Sequence, residues 1–153
     1  VEIIKHSKKK NFSKKINVCT KTFQALRIFV NKETTELIEG IIKATRFIKD
    51  DGKIIIISFH SIEDKIIKFY FKNYSENNLR PSRYLPEDEL KKLIFFKDKN
   101  NNLIRPTEEE IKQNPSSRSA KLRFATRNEK KFEDPKIFKK KFKKYLDLES
   151  LNV

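Results

Sequence analysis

A serine, a histidine, a second serine and an aspartate crowd into the segment Ser58 to Asp64, directly after four consecutive isoleucines, Ile54 to Ile57. Hydroxyls and an imidazole gathered in one place supply both donors and acceptors near neutral pH. The hydrophobic period changes at this point. The isoleucine run is short and unbroken, as for a strand buried on both faces of a parallel sheet covered by helices. From Ser61 onward, Ile62, Ile66, Ile67 and Tyr70 recur at helical spacing. Ser61 followed by Asp64 is a capping-box-like start, with Glu63 and Asp64 in the first turn that the helix dipole favours for carboxylates. The stretch KIIIISFHSIEDKIIKFYF, Lys53 to Phe71, therefore predicts a strand, a polar junction and a helix. Ligands of open α/β sheets bind just beyond the carboxyl ends of the strands, which makes Ser58, Phe59, His60 and Ser61 the candidate site. A plainer reading stands beside it, with His60 a satisfied junction residue and Ser61 and Asp64 only caps.

A second constellation is NPSSRSAKLR, Asn114 to Arg123. Arg118, Lys121 and Arg123 bracket the hydroxyls of Ser116, Ser117 and Ser119, a set able to hold phosphate through guanidinium forks and short hydroxyl bonds. The alternative is a loop in which Arg118 pairs with a carboxylate and Asn114 closes a turn. Arg27 in TFQALR offers a further cation for RNA or for a neighbouring core, and a solvated or ion-paired arginine reads equally well.

Elements must position these groups. Residues 1–18 are basic and aperiodic, the exit from an upstream element. Phe23, Leu26 and Val30 trace one helical stripe from about Thr20; after a break near Asn31 and Lys32, Leu37, Ile38, Ile41, Ile42 and Ile48 trace another. Gly52 in DDGK is a helix stop and turn before the strand. The helix from Ser61 ends near Asn73. Residues 75–92 are a polar excursion with a short helix over PEDELKKL, Leu93 to Phe96 is a short strand, and DKNNN at 98–102 is a turn. Thr107 with Glu110 forms a capping box for a brief helix through Gln113. Ala120, Leu122, Phe124 and Thr126 alternate with Lys121, Arg123, Ala125 and Arg127, predicting a strand with one apolar face. In the tail, residues 129–153, Phe138, Phe142, Tyr145 and Leu146 line one side of a lysine-rich amphipathic helix that could dock on RNA or a surface; a solvated extension is the alternative.

The formal charge is +15, and eight Lys and Arg against one Glu in residues 1–31 place +7 of it at the start. Such density favours a polyanionic partner, RNA before a membrane surface. No apolar run approaches the ~20 residues of a membrane span, so the expected compartment is the cytoplasm. The lone Cys19 excludes an internal disulfide, and two distant histidines give no metal-ligand spacing.

SFHSIEDKIIK at Ser58–Lys68 closely resembles the signature of the bacterial RsmH (MraW) family, S-adenosylmethionine-dependent methyltransferases acting on a cytidine of small-subunit ribosomal RNA. CTKTFQALRIFVN at Cys19–Asn31 and NPSSRSAKLRFATR at Asn114–Arg127 are similar to two more family blocks, in the same order. SRYLPE at Ser82–Glu87 and RPTEEEI at Arg105–Ile111 resemble connecting segments. The resemblance implies an α/β fold, the C-terminal half of a class I, Rossmann-like sheet at residues 19–128. Residues 1–18 would leave an inserted helical domain, and the last strand would run antiparallel between the one ending at Phe59 and the one near Phe95. It also favours supporting catalytic roles for His60, Ser61 and Asp64, beside the RNA contacts that the residues themselves suggest for Arg27, Arg118, Lys121 and Arg123.

The family opens with a Gly-rich cofactor turn, whereas this chain has only Gly40 and Gly52, neither in such a turn. The expectation is a C-terminal portion of a longer enzyme, with the S-adenosyl-L-methionine contacts and the catalytic loop upstream of Val1 and ribosomal RNA or the 30S particle as partner. Alone, such a portion would be inactive. The rival is a non-catalytic basic RNA-binding module that keeps this half of the fold.

Overall fold

The computed structural model describes residues 19–76, 93–97 and 103–150. Helix α1 (Thr20–Val30) is separated from α2 (Glu33–Phe47) by Lys32 at a left-handed φ of 51°, where the sequence predicts a break. The chain forms two compact units, one of the residues up to Leu37 and from Lys143 onward, the other of Ile38–Phe142.

In the first unit, the N–H groups of Thr34 and Thr35, orphaned at the start of α2, donate to the two carboxylate oxygens of Glu149 at 3.2 and 2.8 Å. A carboxylate from the far end of the sequence thus caps this helix, where the dipole favours negative charge. The predicted stripe Phe23, Leu26 and Val30 is exposed, and Ile28 is the buried residue of α1.

In the second unit, β1 (Lys53–Ser58) leads through Phe59 and His60 into α3 (Ser61–Asn73). Strand β2 (Leu103–Ile104), helix α4 (Glu108–Gln113), a 3₁₀ turn (Pro115–Ser119), strand β3 (Lys121–Thr126) and the start of helix α5 (Lys136–Glu149) follow. Thr107 caps α4 as its spacing predicts, its Oγ1 accepting from the Glu110 N–H at 3.2 Å. The strand order is β1–β3–β2, both pairings antiparallel. The central antiparallel strand implied by the resemblance is present, but among the described residues the sheet is antiparallel throughout. Among the described residues the one parallel contact is a single bridge, Ser75 to Phe96.

Several expectations need correction. Leu93–Phe96 is not a strand; Phe96 alone bridges Ser75 and Arg127, and the edge strand is the unforeseen Leu103–Ile104. Strand β1 is not buried on both faces. Ile54 and Ser58 are buried, whereas Ile55 and Ile57 are 60% and 54% exposed. The register puts Ile55 opposite Phe124, and Ile57 and Ile104 both opposite Leu122. Opposed residues share a face, so one side of the sheet is an apolar surface that no described element covers. Strand β3 has the predicted period, and Leu122 and Phe124 share an apolar face as predicted, but that face is not the one turned to the core. Arg123 and Ala125 are buried, while Leu122 and Phe124 lie on the more open side. The predicted elements at 77–92 and the turn at 98–102 lie outside the described residues, as do residues 1–18.

Tyr70 of α3 organises the core. Its ring lies 4.6 Å from Phe138 and 4.9 Å from Tyr74, which stacks on Phe95 at 5.1 Å. Such pairs add about 0.5–1.5 kcal/mol each beyond area burial. The Tyr70 hydroxyl donates to Thr45 Oγ1 at 3.1 Å, and that hydroxyl donates to the Ile41 carbonyl at 2.8 Å, so neither polar group is stranded. Burial pushes the Tyr70 phenol well above its ordinary pKa and the Tyr74 phenol up to about 12. The tail helix is amphipathic as predicted, but Phe138 and Phe142 are spent on this core.

The turn before β1 has a steric reason for its glycine. Gly52 lacks a positive φ, which belongs to Asp51 at 63°. A Cβ on Gly52 would lie 2.5 Å from Ile48 Cγ1 and 2.8 Å from the Lys49 carbonyl. Gly52→Ala should therefore destabilise the chain by about 1–3 kcal/mol, read as a lower urea midpoint at unchanged slope. An unshifted midpoint would show that the turn yields freely.

Candidate functional site

The junction is built around Glu63. Its Oε2 accepts from the N–H groups of Phe59 at 2.9 Å and His60 at 3.3 Å, while its own N–H donates to His60 Nδ1 at 3.3 Å. His60, not Ser61, is therefore the N-cap, and Glu63, not Asp64, closes the capping box. Because Nδ1 accepts an N–H, the neutral ring carries its proton on Nε2, and Nε2 stands 3.2 Å from Glu63 Oε1. Both ring nitrogens face one carboxylate side chain and its backbone. The cap through Nδ1 holds the ring at the head of α3.

Asp64 faces the other way. Its Oδ2 accepts from Lys121 Nζ at 2.9 Å and its Oδ1 from Arg123 Nε at 2.8 Å, with side-chain exposures of 15% for Asp64 and 4% for Arg123. Partial burial pushes the carboxyl up, but hydrogen bonds from Arg123 and Lys121 and their charges outweigh it and hold it below its ordinary value of 3.8. Ser58, buried on the same face of β1, donates weakly to the Lys121 carbonyl at 3.4 Å. Ser61 is exposed at the head of α3, beside the exposed ring of Phe59.

The predicted cations are not presented together. Arg123 is turned inward onto Asp64, Lys121 is half-buried on the same carboxylate, and Arg118 is exposed on the 3₁₀ turn. Ser117 is buried, its hydroxyl donating to the Asn114 carbonyl at 2.8 Å, while Asn114 Oδ1 accepts from the Ser116 N–H. The serines thus close the turn. Arg27 belongs to the other unit and forks onto Glu33, with Nε at 2.8 Å and Nη2 at 3.1 Å.

Sequence reasoning missed Glu63 as the organising residue, although His60 and Glu63 have the three-residue box spacing. It also missed Arg127, whose guanidinium donates to the Phe95, Asn128 and Lys130 carbonyls and lies over the Phe95 ring.

Residues 1–128 match the model of the MraW methylase family. The chain belongs to that family. Ribosomal RNA small subunit methyltransferase H of Bartonella henselae is 43% identical over 126 residues, 81% of this chain and 36% of that protein. The proteins of the same name from Ehrlichia canis and Ehrlichia chaffeensis are 46% and 47% identical over 108 and 117 residues, 71% and 76% of this chain. The chain spans about a third of the length of these relatives. No described helix of this MraW-family chain is long and apolar enough to cross a membrane.

Asp64 gives the chain an acid-side signature. Its folded pKa is depressed, so its contribution to stability is complete above the unfolded value and disappears as pH falls through the lower folded value. The stability gap between the native chain and Asp64→Asn, from urea unfolding, should be constant between about pH 5 and 7 and shrink as pH falls below the ordinary carboxyl value of 3.8. A gap that holds through the acid range would remove the carboxylate from this account.

Proposed function

We propose that this chain is the C-terminal part of an S-adenosylmethionine-dependent methyltransferase that modifies the exocyclic amine of a cytidine in small-subunit ribosomal RNA, working on that RNA or the 30S particle in the cytoplasm. The carrying observation is the family match over residues 1–128. The names of the relatives support the substrate, and the uncovered apolar face of the sheet supports a larger enzyme whose remaining part packs against Ile55, Ile57 and Ile104.

Cytosine's amine is a weak nucleophile because its lone pair is shared with the ring. Transfer requires the amine held in line with the methyl donor and acceptors that favour a pyramidal nitrogen. In this chain Glu63 fixes His60 and the Phe59 backbone, and Asp64 fixes α3 to β3, so the junction acts as one rigid wall at the carboxyl end of β1. The described residues do not fit an S-adenosylmethionine site. Gly52 lies at the opposite end of β1, Gly40 lies within α2, and the junction's carboxylates are engaged with the protein itself. The cofactor-holding and proton-accepting groups belong, on this reading, to the remaining part of the enzyme.

The test is methyl transfer to 30S particles by the complete protein, with the product mapped to the N4 position of a cytidine. Modification at a ring carbon or at another base would overturn the chemistry proposed. Under single-turnover conditions, His60→Ala should lower the methylation rate by about tenfold or more and change RNA affinity by less than about threefold, since it misplaces a wall rather than removing a contact. Full activity in the variant would reduce His60 to a helix cap. The 153-residue chain alone should neither methylate RNA nor bind S-adenosylmethionine at micromolar concentrations, because a one-walled site forfeits most of the burial a small ligand needs. Micromolar binding in titration calorimetry would show that the cofactor site lies within it.

A further inference from the structure

Helix α3 carries a second stripe. Ser61, Lys65, Lys68 and Lys72 recur on the side away from Ile66, Ile67, Tyr70 and Phe71, which are buried. With Asp64 and Phe69 they line an open groove of about 560 Å³. The three lysines are exposed, and no hydrogen bond or ion pair holds them among the described residues. Elsewhere lysines do find carboxylates: Lys43 pairs with Glu39, Lys97 with Asp51, Lys139 with Asp134 and Lys143 with Asp147. Among the described residues the only carboxylate lining the groove is Asp64, already matched by Lys121 and Arg123. Lys141 adds charge at the rim, its Nζ 6.0 Å from the Phe69 centroid.

Like charges three and four residues apart repel along a helix, so this stripe is electrostatically incomplete until an anion occupies it. Lys65 and Lys72 are separated by a rise of about 10 Å, a length over which a nucleic-acid strand presents several phosphates. Lysines grip phosphate as mobile point charges and read no sequence. The groove starts at Ser61, one residue beyond His60, at the carboxyl end of β1.

We propose that this groove is a phosphate rail that holds the backbone of the substrate RNA strand and leads it to the junction at Phe59 and His60. The proposal rests on the reading above that the substrate is RNA. It assigns the backbone-holding role to Lys65, Lys68 and Lys72 in place of the inward-turned Arg123 and the half-buried Lys121.

The experiment measures binding of a short single-stranded RNA oligonucleotide to the 153-residue chain by fluorescence anisotropy between about 50 and 200 mM salt. The triple variant K65Q/K68Q/K72Q should weaken binding about ten- to a hundredfold at the lowest salt and flatten the log–log salt slope by about 2, near 0.7 for each lost phosphate contact. The variant K112Q/K131Q/K140Q, which removes equal charge from exposed positions elsewhere, should keep most of the slope. Far-UV circular dichroism of both should match the native chain, since glutamine keeps helix propensity at solvent positions. Equal losses in the two triple variants would overturn the rail and leave a diffuse field. Loss of binding to phosphatidylserine vesicles with RNA binding intact would also overturn it. No RNA binding by the native chain at any salt would overturn the rail and the RNA reading together.

Discussion

One carboxylate, that of Asp64, ties the second helix of the larger unit to the centre of its sheet. It sits in the first turn of α3 and receives Lys121 and Arg123, two residues apart on β3 and therefore on the same face. Magnitudes show why this contact dominates its surroundings. Losing a helix cap such as His60 costs about 1 kcal/mol, whereas removing one partner from a largely buried ion pair costs about 3–5 kcal/mol, because the other charge stays buried and uncompensated. Against a total stability of about 5–15 kcal/mol, that loss decides whether the start of α3, and with it Phe59 and His60, stays in place. Lys121 is more exposed than Arg123 and contributes less through solvent screening.

The same inward-facing arginines explain how the sheet is sided. Arg123 goes to Asp64 and Arg127 to a cup of backbone carbonyls, with the small Ala125 between them letting the helix approach. Leu122 and Phe124 then join Ile55, Ile57 and Ile104 on the other side. That apolar surface is continuous across three strands and exceeds the scattered single exposures of an ordinary surface. On the function proposed above it is where the rest of a larger enzyme would pack, while Glu63 and Asp64 make their bonds to Phe59, His60, Lys121 and Arg123 within Ile38–Phe142.

Helix positions were legible in the sequence because they rest on local signals: the stripes of α2 and α3, the Thr107 cap, and the break at Lys32. Strand β3 was legible in its period of two and in its apolar face, but not in which face turns to the core. An arginine turned inward is revealed only by the partner it meets, and Asp64 lies 59 residues before Arg123. The junction was found because the period changes there, yet its organiser was taken to be Ser61 with Asp64. Hydroxyl caps are the common pattern, and a histidine cap closed by Glu63 is a departure from it. The two-residue β2 carries too little pattern to read. Cations for RNA were sought in the serine–arginine segment, whereas the stripe proposed above, Lys65, Lys68 and Lys72, stands on α3, where a helix-wheel reading alone leaves a charged stripe looking like ordinary solvated surface.

The central claim is that Asp64 and Arg123 act as a coupled pair that fixes α3 on β3. A double-mutant cycle by urea unfolding, comparing Asp64→Ala, Arg123→Met and the two together, measures that coupling directly. The account predicts a favourable interaction of about 1–3 kcal/mol, with the double variant less destabilised than the sum of the singles. Additivity within about 0.3–0.5 kcal/mol would contradict it, leaving α3 held by its aromatic face alone.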